Sequence, residues 1–206
     1  AEAGIFGAAA FLMGNIGASE LAAHTVALQI AALAFQVPFG VGQAATIRVG
    51  YFYGARDEGG IRRAGWTAIV VGTGFMVLTA LAMVVIPKPL IAIYVDPWDP
   101  KNAVLVGFAL QYIVIAAAFQ LFDGMQAVAA GALRGLQDTR IPMWIAAFAY
   151  WVPGIGTALV LGFATPLEGT GVWIGLATGL TFAAALLGWR WHRREALGLT
   201  LRPASR

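Results

Sequence analysis

The chain has 206 residues, of which 60% are hydrophobic and only 11% are charged, and it contains 26 glycines and no cysteine. Soluble globular domains carry about 25% charged residues, so the composition excludes a soluble globule and a disordered chain, and the lack of cysteine excludes a disulfide-stapled module and a thiolate metal site. We therefore expect an integral membrane protein, in which the formal net charge of +3 matters through its placement along the chain.

Uncharged stretches of the sequence predict six transmembrane helices in chain order. A helix needs about 20 apolar residues to cross roughly 30 Å of hydrocarbon, and it must satisfy its backbone polar groups internally. The predicted helices cover approximately residues 1–18, 22–48, 64–87, 102–133, 141–164 and 169–191, and a tail at 192–206 follows. The predicted fold class is an all-α integral membrane protein, a six-transmembrane-helix bundle.

The placement of lysine and arginine predicts the orientation of the bundle. Basic loops stay on the cytoplasmic side of a membrane. Eleven of the thirteen basic residues fall between the second and third helices, between the fourth and fifth, or after the sixth, and only Lys88 and Lys101 fall on the other side. We therefore expect a protein of the plasma membrane, the inner membrane of a bacterium, with a cytoplasmic C-terminus.

Most of the seven tryptophans lie near the ends of predicted helices, where the amphipathic indole favours the headgroup level. These six are Trp66, Trp98, Trp144, Trp173, Trp189 and Trp191. We expect them to anchor the bundle at the membrane interface. His24 lies near the outer end of the second helix, where we expect a loop histidine with ordinary hydrogen bonds rather than a proton relay.

Two prolines, Pro38 and Pro153, lie beside glycines inside the second and fifth helices and predict hinges there. Bent helices either line a cavity or pack closely through their small residues, and the sequence leaves both explanations open. Tyr150 and Trp151 precede Pro153. This aromatic pair either lines a cavity or faces lipid.

Two acidic residues lie at depths where a charge is costly. An ionisable side chain inside the bilayer costs about 2.5 kcal/mol or more and is by default a functional-site hypothesis. At 1.5 Å per residue, Asp123 lies roughly 16 Å from the boundary at Arg134, and Glu2 lies roughly 26 Å from the boundary at Ser19. Two carboxylates in such a site hold a proton or share a cation. The pair predicts exchange of H⁺ or Na⁺; the structural alternative for Asp123 is a helix cap or an interhelical hydrogen bond.

Motifs of soluble enzymes and of nucleic-acid binding are absent from the sequence. There is no phosphate loop, H-E-x-x-H or G-x-S-x-G, and two histidines cannot build the usual hydrolytic or metal constellations. The arginines are confined to membrane-flanking loops, so no nucleic-acid partner is expected. An intramembrane enzyme that uses Glu2 and Asp123 as an acid/base dyad is a weaker alternative, because no catalytic loop accompanies them.

Four runs of sequence together resemble one transporter family. They are AAHTVALQI at 22–30, QAATIRVG at 43–50, FDGMQ at 122–126 and GALRGLQDTRIP at 131–142. In this order they are similar to helices seven, eight and ten, and the loop after helix ten, of the MATE (multidrug and toxic compound extrusion) transporters of the norM-like branch. The resemblance covers the C-terminal lobe of that family.

The resemblance implies an architecture and a set of partners. Such transporters have twelve helices in two six-helix lobes with a substrate cavity between them. Residues 1–206 would be the C-terminal lobe, and the N-terminal lobe would be absent from this chain. The partners would be that N-terminal lobe, the lipid bilayer and small organic substrates.

The resemblance also implies site residues. In the norM-like branch, acids on helices seven and ten contribute to cation coupling, and their positions fall on Glu2 and Asp123. No cofactor is expected beyond the coupling H⁺ or Na⁺, and a Na⁺ would lie at these two acids. Some members carry a tyrosine one turn before the helix-ten acid where this chain has Phe119, which favours proton coupling. The predicted cavity-lining residues are Phe119, Gln126, Tyr150 and Trp151.

The function that these expectations favour is a cation-coupled antiporter that exports amphipathic or cationic organic compounds. The alternative is a lipid-linked precursor flippase of related architecture. A flippase would favour a strongly basic cavity, and no arginine or lysine lies in the interior of the predicted helices.

Overall fold

A computed structural model of the chain describes the backbone of residues 2–200 and the side chains of residues 4–200, and every regular element in that part of the chain is a helix. The helices are α1 (Glu2–Ile16), α2 (Ala18–Gly54), α3 (Glu58–Val85), α4 (Pro87–Ile91), α5 (Ala103–Gly135), α6 (Arg140–Ala149), α7 (Gly156–Phe163) and α8 (Glu168–His192). A 3₁₀ turn, Pro100–Asn102, precedes α5, and a π-helical segment, Tyr150–Ile155, joins α6 to α7. The predicted all-α class is confirmed.

Within the described part of the chain, five helical stretches are long and apolar enough to cross a membrane. They are Ala18–Gly54, Glu58–Val85, Pro100–Gly135, Arg140–Phe163 and Glu168–His192. A shorter apolar helix, Gly4–Ile16, precedes them. Five of the six segments expected from the sequence overlap these membrane-length stretches, and the first overlaps the shorter helix.

α2 and α3 run past the charged residues at which the sequence analysis ended the predicted helices. α2 continues beyond Arg48 to Gly54, and α3 begins at Glu58 rather than at residue 64. The stem of an arginine lies along a helix while its charged head stays in water, so an arginine does not end a helix. α3 instead begins where the Asp57 carboxylate accepts a hydrogen bond of 2.9 Å from the backbone N–H of Gly60, an N-cap interaction.

α5 lies at the centre of the bundle, where it packs against α2, α3 and α8. Close approach to α2 depends on glycine, because a methyl group added at Gly131 would clash with the backbone of Gly42. At this crossing, the Thr46 hydroxyl lies within hydrogen-bonding distance of the carbonyl oxygens of Gly42 (3.0 Å) and Gly131 (2.9 Å), which share its single proton. Small residues and hydroxyl hydrogen bonds are typical of helix packing in membranes.

Large apolar side chains are exposed on the outside of the bundle. Phe11, Ile47 and Val85 are each at least 70% exposed, and many valines and leucines of α3 are more than half exposed. A large exposed apolar surface is rare in soluble proteins and marks a membrane or protein interaction site. Together with the length of the helices, this surface identifies an integral membrane protein.

Two of the six tryptophans expected at the membrane interface are buried instead. Trp173 and Trp191 are 0% exposed, whereas Trp98 is 69% exposed. Both buried indoles lie on α8, which is enclosed by α1, α5, α6 and α7. The prediction that these two tryptophans anchor at the headgroup level is wrong, because neighbouring helices cover them.

His24 was also expected in a loop and lies instead within α2, 1% exposed. Its ring meets the Trp173 indole edge-on at 5.4 Å. Neither ring nitrogen has a hydrogen-bond partner among the described residues. The prediction of a loop histidine with ordinary hydrogen bonds is therefore wrong.

Candidate functional site

Asp123 lies on the buried face of α5 and is 6% exposed. Its carboxylate borders a cavity of about 200 Å³ between α5, α2 and α1. The residues that line this cavity are Phe6, Leu28, Ala31, Ala32, Phe35, Phe119 and Asp123. Asp123 is thus the single ionisable side chain among the described residues of the cavity wall.

Gln126 lies one turn after Asp123 on α5. Its amide Nε2 lies 3.4 Å from Oδ1 of Asp123, in position to donate a long hydrogen bond. Gln126 is itself 4% exposed. A buried carboxylate that accepts from an amide is less costly than one without such a donor, so Gln126 orients the acid and partly compensates its burial.

A second cavity, of about 410 Å³, lies on the other side of Gln126. Tyr150, which is 1% exposed, also lines it. At its far end are Arg134 and Asp138, and the Asp138 carboxylate accepts a 2.6 Å hydrogen bond from Nε of Arg190 on α8. Gln126 therefore contributes to a cavity that extends towards the charged end of α5.

Phe119 belongs to both the Asp123 cavity and a buried aromatic cluster. Its ring stacks on the Trp173 indole, with ring centres 5.4 Å apart, and the Trp173 indole stacks on Tyr112 at 5.9 Å. Phe119 contributes no oxygen atom to the wall of the cavity. The wall opposite the carboxylate is consequently apolar.

The structure places the remaining predicted site residues in different surroundings. Trp151 is 51% exposed, and its ring lies close to Gly4 of α1. Trp151 lines neither of the two cavities described above. Pro153 lies in the π-helical segment, a local irregularity that often occurs at functional sites, whereas Pro38 lies inside the continuous helix α2. The backbone of Glu2 begins α1, and its side chain lies outside the described residues.

The pairing of Asp138 with Arg190 is a feature that the sequence analysis did not find. The two residues are 52 positions apart, on the α5–α6 connection and on α8. The sequence shows both charges but has no local signal for a partner so distant. The burial of Trp173 against Phe119 was missed for the same reason.

Membrane-length helices around a buried carboxylate define an integral membrane protein and are typical of transporters, in which intramembrane acids mark ion pathways. Comparison with known proteins identifies the family within that class. The MatE family model matches residues 1–160, so the chain belongs to this family of multidrug and toxic compound extrusion proteins. The resemblance noted from the sequence is thereby confirmed, and the members of this family are transporters rather than enzymes.

The chain is similar to part of several named relatives. It is 50% identical over 196 residues to the probable multidrug resistance protein NorM of Mesorhizobium japonicum, and this match covers 95% of the chain and 42% of the relative. It is 46% identical over 195 residues to the multidrug resistance protein NorM of Burkholderia vietnamiensis, with 95% and 42% covered. The chain thus spans about two fifths of the length of these relatives.

A solved structure shows the same fold. The crystal structure of the eukaryotic MATE transporter AtDTX14 matches with a TM-score of 0.74 and 23% sequence identity. The match covers 88% of this chain and 41% of that transporter. The helix bundle is therefore the fold found in part of a MATE transporter.

Proposed function

We propose that this chain is the C-terminal lobe of a cation-coupled antiporter that exports amphipathic or cationic organic compounds, and that Asp123 carries the coupling cation. The observation that carries the proposal is the Asp123 carboxylate, buried in a membrane-length helix and bordering a small cavity. Intramembrane acids mark ion and proton pathways because their burial is costly without a function. The names of the relatives, which refer to multidrug resistance, support the export of organic compounds.

The carboxylate couples the two fluxes through its charge. A cation bound at Asp123 neutralises a buried negative charge, and its release restores that charge. A cationic substrate is attracted to the charged form and not to the neutral one, so substrate and coupling cation compete. A ligand shifts a conformational equilibrium only through such a difference in affinity between states.

The apolar wall of the Asp123 cavity favours H⁺ over Na⁺ as the coupling ion. A hard cation takes several oxygen ligands, whereas a proton needs one carboxylate oxygen. Among the described residues, no group of three or more His, Asp or Glu side chains comes together. Phe119, which lines the cavity beside Asp123, has no oxygen atom that could bind a Na⁺. Phe6, one turn after Glu2 on α1, lines the same cavity, which supports Glu2 as the partner of Asp123.

The flippase alternative is less compatible with this site. A lipid-linked precursor carries phosphate groups and would need a basic cavity. The described residues that line the Asp123 cavity include an acid and no arginine or lysine. The structure does group two arginines, Arg48 and Arg63, in a groove between α2 and α3, but that groove is separate from the Asp123 cavity, so we retain the antiporter as the proposed function.

We also propose that the chain works with an N-terminal lobe of similar size. The chain covers 42% of its NorM relatives and 41% of the AtDTX14 structure. A substrate cavity between two lobes requires the second lobe to complete it. The cytoplasmic C-terminus and the location in the bacterial inner membrane are part of the same proposal.

The test replaces the carboxylate without changing its shape. We expect D123N, in the complete transporter reconstituted in vesicles, to abolish export driven by an imposed H⁺ gradient. It should also weaken the binding of a cationic substrate, because asparagine resembles the neutral form of the acid, and leave the binding of an uncharged amphipathic substrate largely intact. D99N is the matched control, because Asp99 caps the 3₁₀ turn before α5 and asparagine caps as well as aspartate. Full gradient-driven export by D123N would refute the role of Asp123.

A further inference from the structure

A groove of about 470 Å³ lies between α2 and α3, on a different part of the bundle from the Asp123 cavity. The residues that line it are Val41, Ala44, Ala45, Arg48, Phe52, Arg63, Ala64, Thr67, Ala68 and Val71. Two arginines therefore share a groove whose other side chains are almost all apolar. The proposed coupling site does not account for this arrangement.

The groove has a charged end and an apolar end. α2 ends at Gly54 and α3 begins at Glu58, so Arg48 and Arg63 both lie towards the turn that joins the two helices. Val41 lies seven residues before Arg48, which corresponds to about 10 Å along the helix. The apolar part of the groove thus extends from the two arginines towards the middle of the helices.

Both arginines are available to an anion. Each is exposed, and the two salt bridges found among the described residues, Asp138 with Arg190 and Arg194 with Glu195, include neither of them. The Arg48 guanidinium lies 5.4 Å from the centre of the Phe52 ring, a cation–π contact that holds it against the wall of the groove. Asp57 and Glu58, the acidic residues of the turn between α2 and α3, form no salt bridge with either arginine in the described part of the chain.

The surface beside the groove is apolar and exposed, and in a membrane protein such a surface is suited to contact with lipid. Ile47, adjacent to Arg48, is 70% exposed, and Val70, adjacent to Val71, is 67% exposed. A ligand that enters from this side comes from the bilayer. Two positive charges repel a cationic substrate and attract a phosphate, and basic pockets between transmembrane helices are known to bind anionic headgroups.

We propose that this groove binds one anionic phospholipid, with the phosphate between Arg48 and Arg63 and an acyl chain along the apolar side chains from Ala44 to Val41 and from Ala68 to Val71. The bound lipid fills the space between α2 and α3 and neutralises the two arginines. It would therefore hold together the hairpin that α2 and α3 form.

The experiment measures the lipids that stay bound to the purified complete protein by native mass spectrometry, with phosphatidylglycerol and phosphatidylcholine as probes. We expect phosphatidylglycerol to be retained in preference to phosphatidylcholine. R48Q and R63Q should each lower that preference by about fivefold, since each basic residue near a membrane surface contributes a factor of this size.

Three controls make the result specific. R62Q changes an exposed arginine that does not line the groove, and it should leave the preference unchanged. A44W should reduce phosphatidylglycerol retention by filling the apolar part while both arginines remain. Glycerol phosphate, which lacks acyl chains, should fail to compete with the lipid. Thermal unfolding of each variant checks that it is folded. If a glutamine variant does not fold, R48K and R63K replace it, because lysine keeps the positive charge and changes only the geometry of the phosphate contact.

Each contrary outcome overturns the proposal. An equal loss with R62Q would mean general surface electrostatics, and effective competition by glycerol phosphate would mean a simple phosphate site. Retention that does not depend on Arg48 or Arg63 would mean that another part of the complete protein, or a second copy, covers the groove.

Discussion

The surroundings of Asp123 show how single side chains set the properties of a buried acid. The carboxylate has an amide donor on one side, from Gln126, and an apolar cavity on the other. The donor lowers the cost of the charged form, and the apolar wall raises it. In the role proposed for Asp123, the balance of these opposing effects would decide how readily the acid takes up and releases a cation.

Removal of the Gln126 amide should weaken coupling without abolishing it. A hydrogen bond to a charged group contributes about 1.5 kcal/mol or somewhat more, and this one is long at 3.4 Å, so we expect Q126L to change the cation concentration for half-maximal transport by about fivefold to tenfold. The measurement is gradient-driven export at a series of cation concentrations. Q111L is the control, because Gln111 lies exposed on the same helix. Equal effects of the two variants would show that the Asp123 contact is unimportant.

At the scale of the helices, the position of α5 depends on small residues at its crossings. α5 meets α2 where Gly131 faces Gly42, and it meets α3 where a methyl group at Gly124 would reach the Met76 side chain. Backbone contact at Gly131 cannot be relieved by a rotamer change, whereas the methionine at Gly124 can move. The α2–α5 crossing is therefore the less adaptable of the two.

We expect G131A to lower the free energy of unfolding by about 1–3 kcal/mol, the usual cost of overpacking. G107A is the matched control on the same helix, because a methyl group at Gly107 meets nothing within 4 Å and alanine favours a helix by about 1 kcal/mol relative to glycine. The measurement is the midpoint of thermal unfolding of the complete protein in detergent. Similar midpoints for the two variants would argue against close packing at Gly131.

At the scale of the whole molecule, successive connections alternate between the two ends of the bundle. The α2–α3 turn and the α5–α6 connection lie at one end, and the segments before α5 and before α8 lie at the other. Eleven of thirteen basic residues belong to the first end and the C-terminal segment. From the positive-inside rule, we expect that end to face the cytoplasm.

Single cysteines test this orientation, and the chain contains none that would first need removal. With an impermeant thiol reagent added outside intact cells, we expect cysteines at Asp99 and Thr165 to react and those at Glu58 and Gln137 to be protected. Permeabilised cells serve as the control, since all four positions should then react. The reverse pattern in intact cells would overturn the assignment.

The sequence by itself determined the membrane class, the all-α fold, the six helical segments and the buried acid at Asp123. These features depend on local properties, because an apolar stretch in lipid must satisfy its own backbone hydrogen bonds as a helix. The family resemblance also needed only runs of neighbouring residues. The expectation for Glu2 remains a prediction, as does the hinge role of Pro38 and Pro153.

Only the tertiary structure decided which faces of the helices are covered. It buries His24, Trp173 and Trp191, pairs Asp138 with Arg190, and brings Gln126 to Asp123 between two cavities. Hydropathy gives the depth of a residue in the membrane but not its direction around the helix. In a chain that is apolar on all sides, lipid-facing and protein-facing residues have the same character, so the packing of helices distant in sequence makes the distinction.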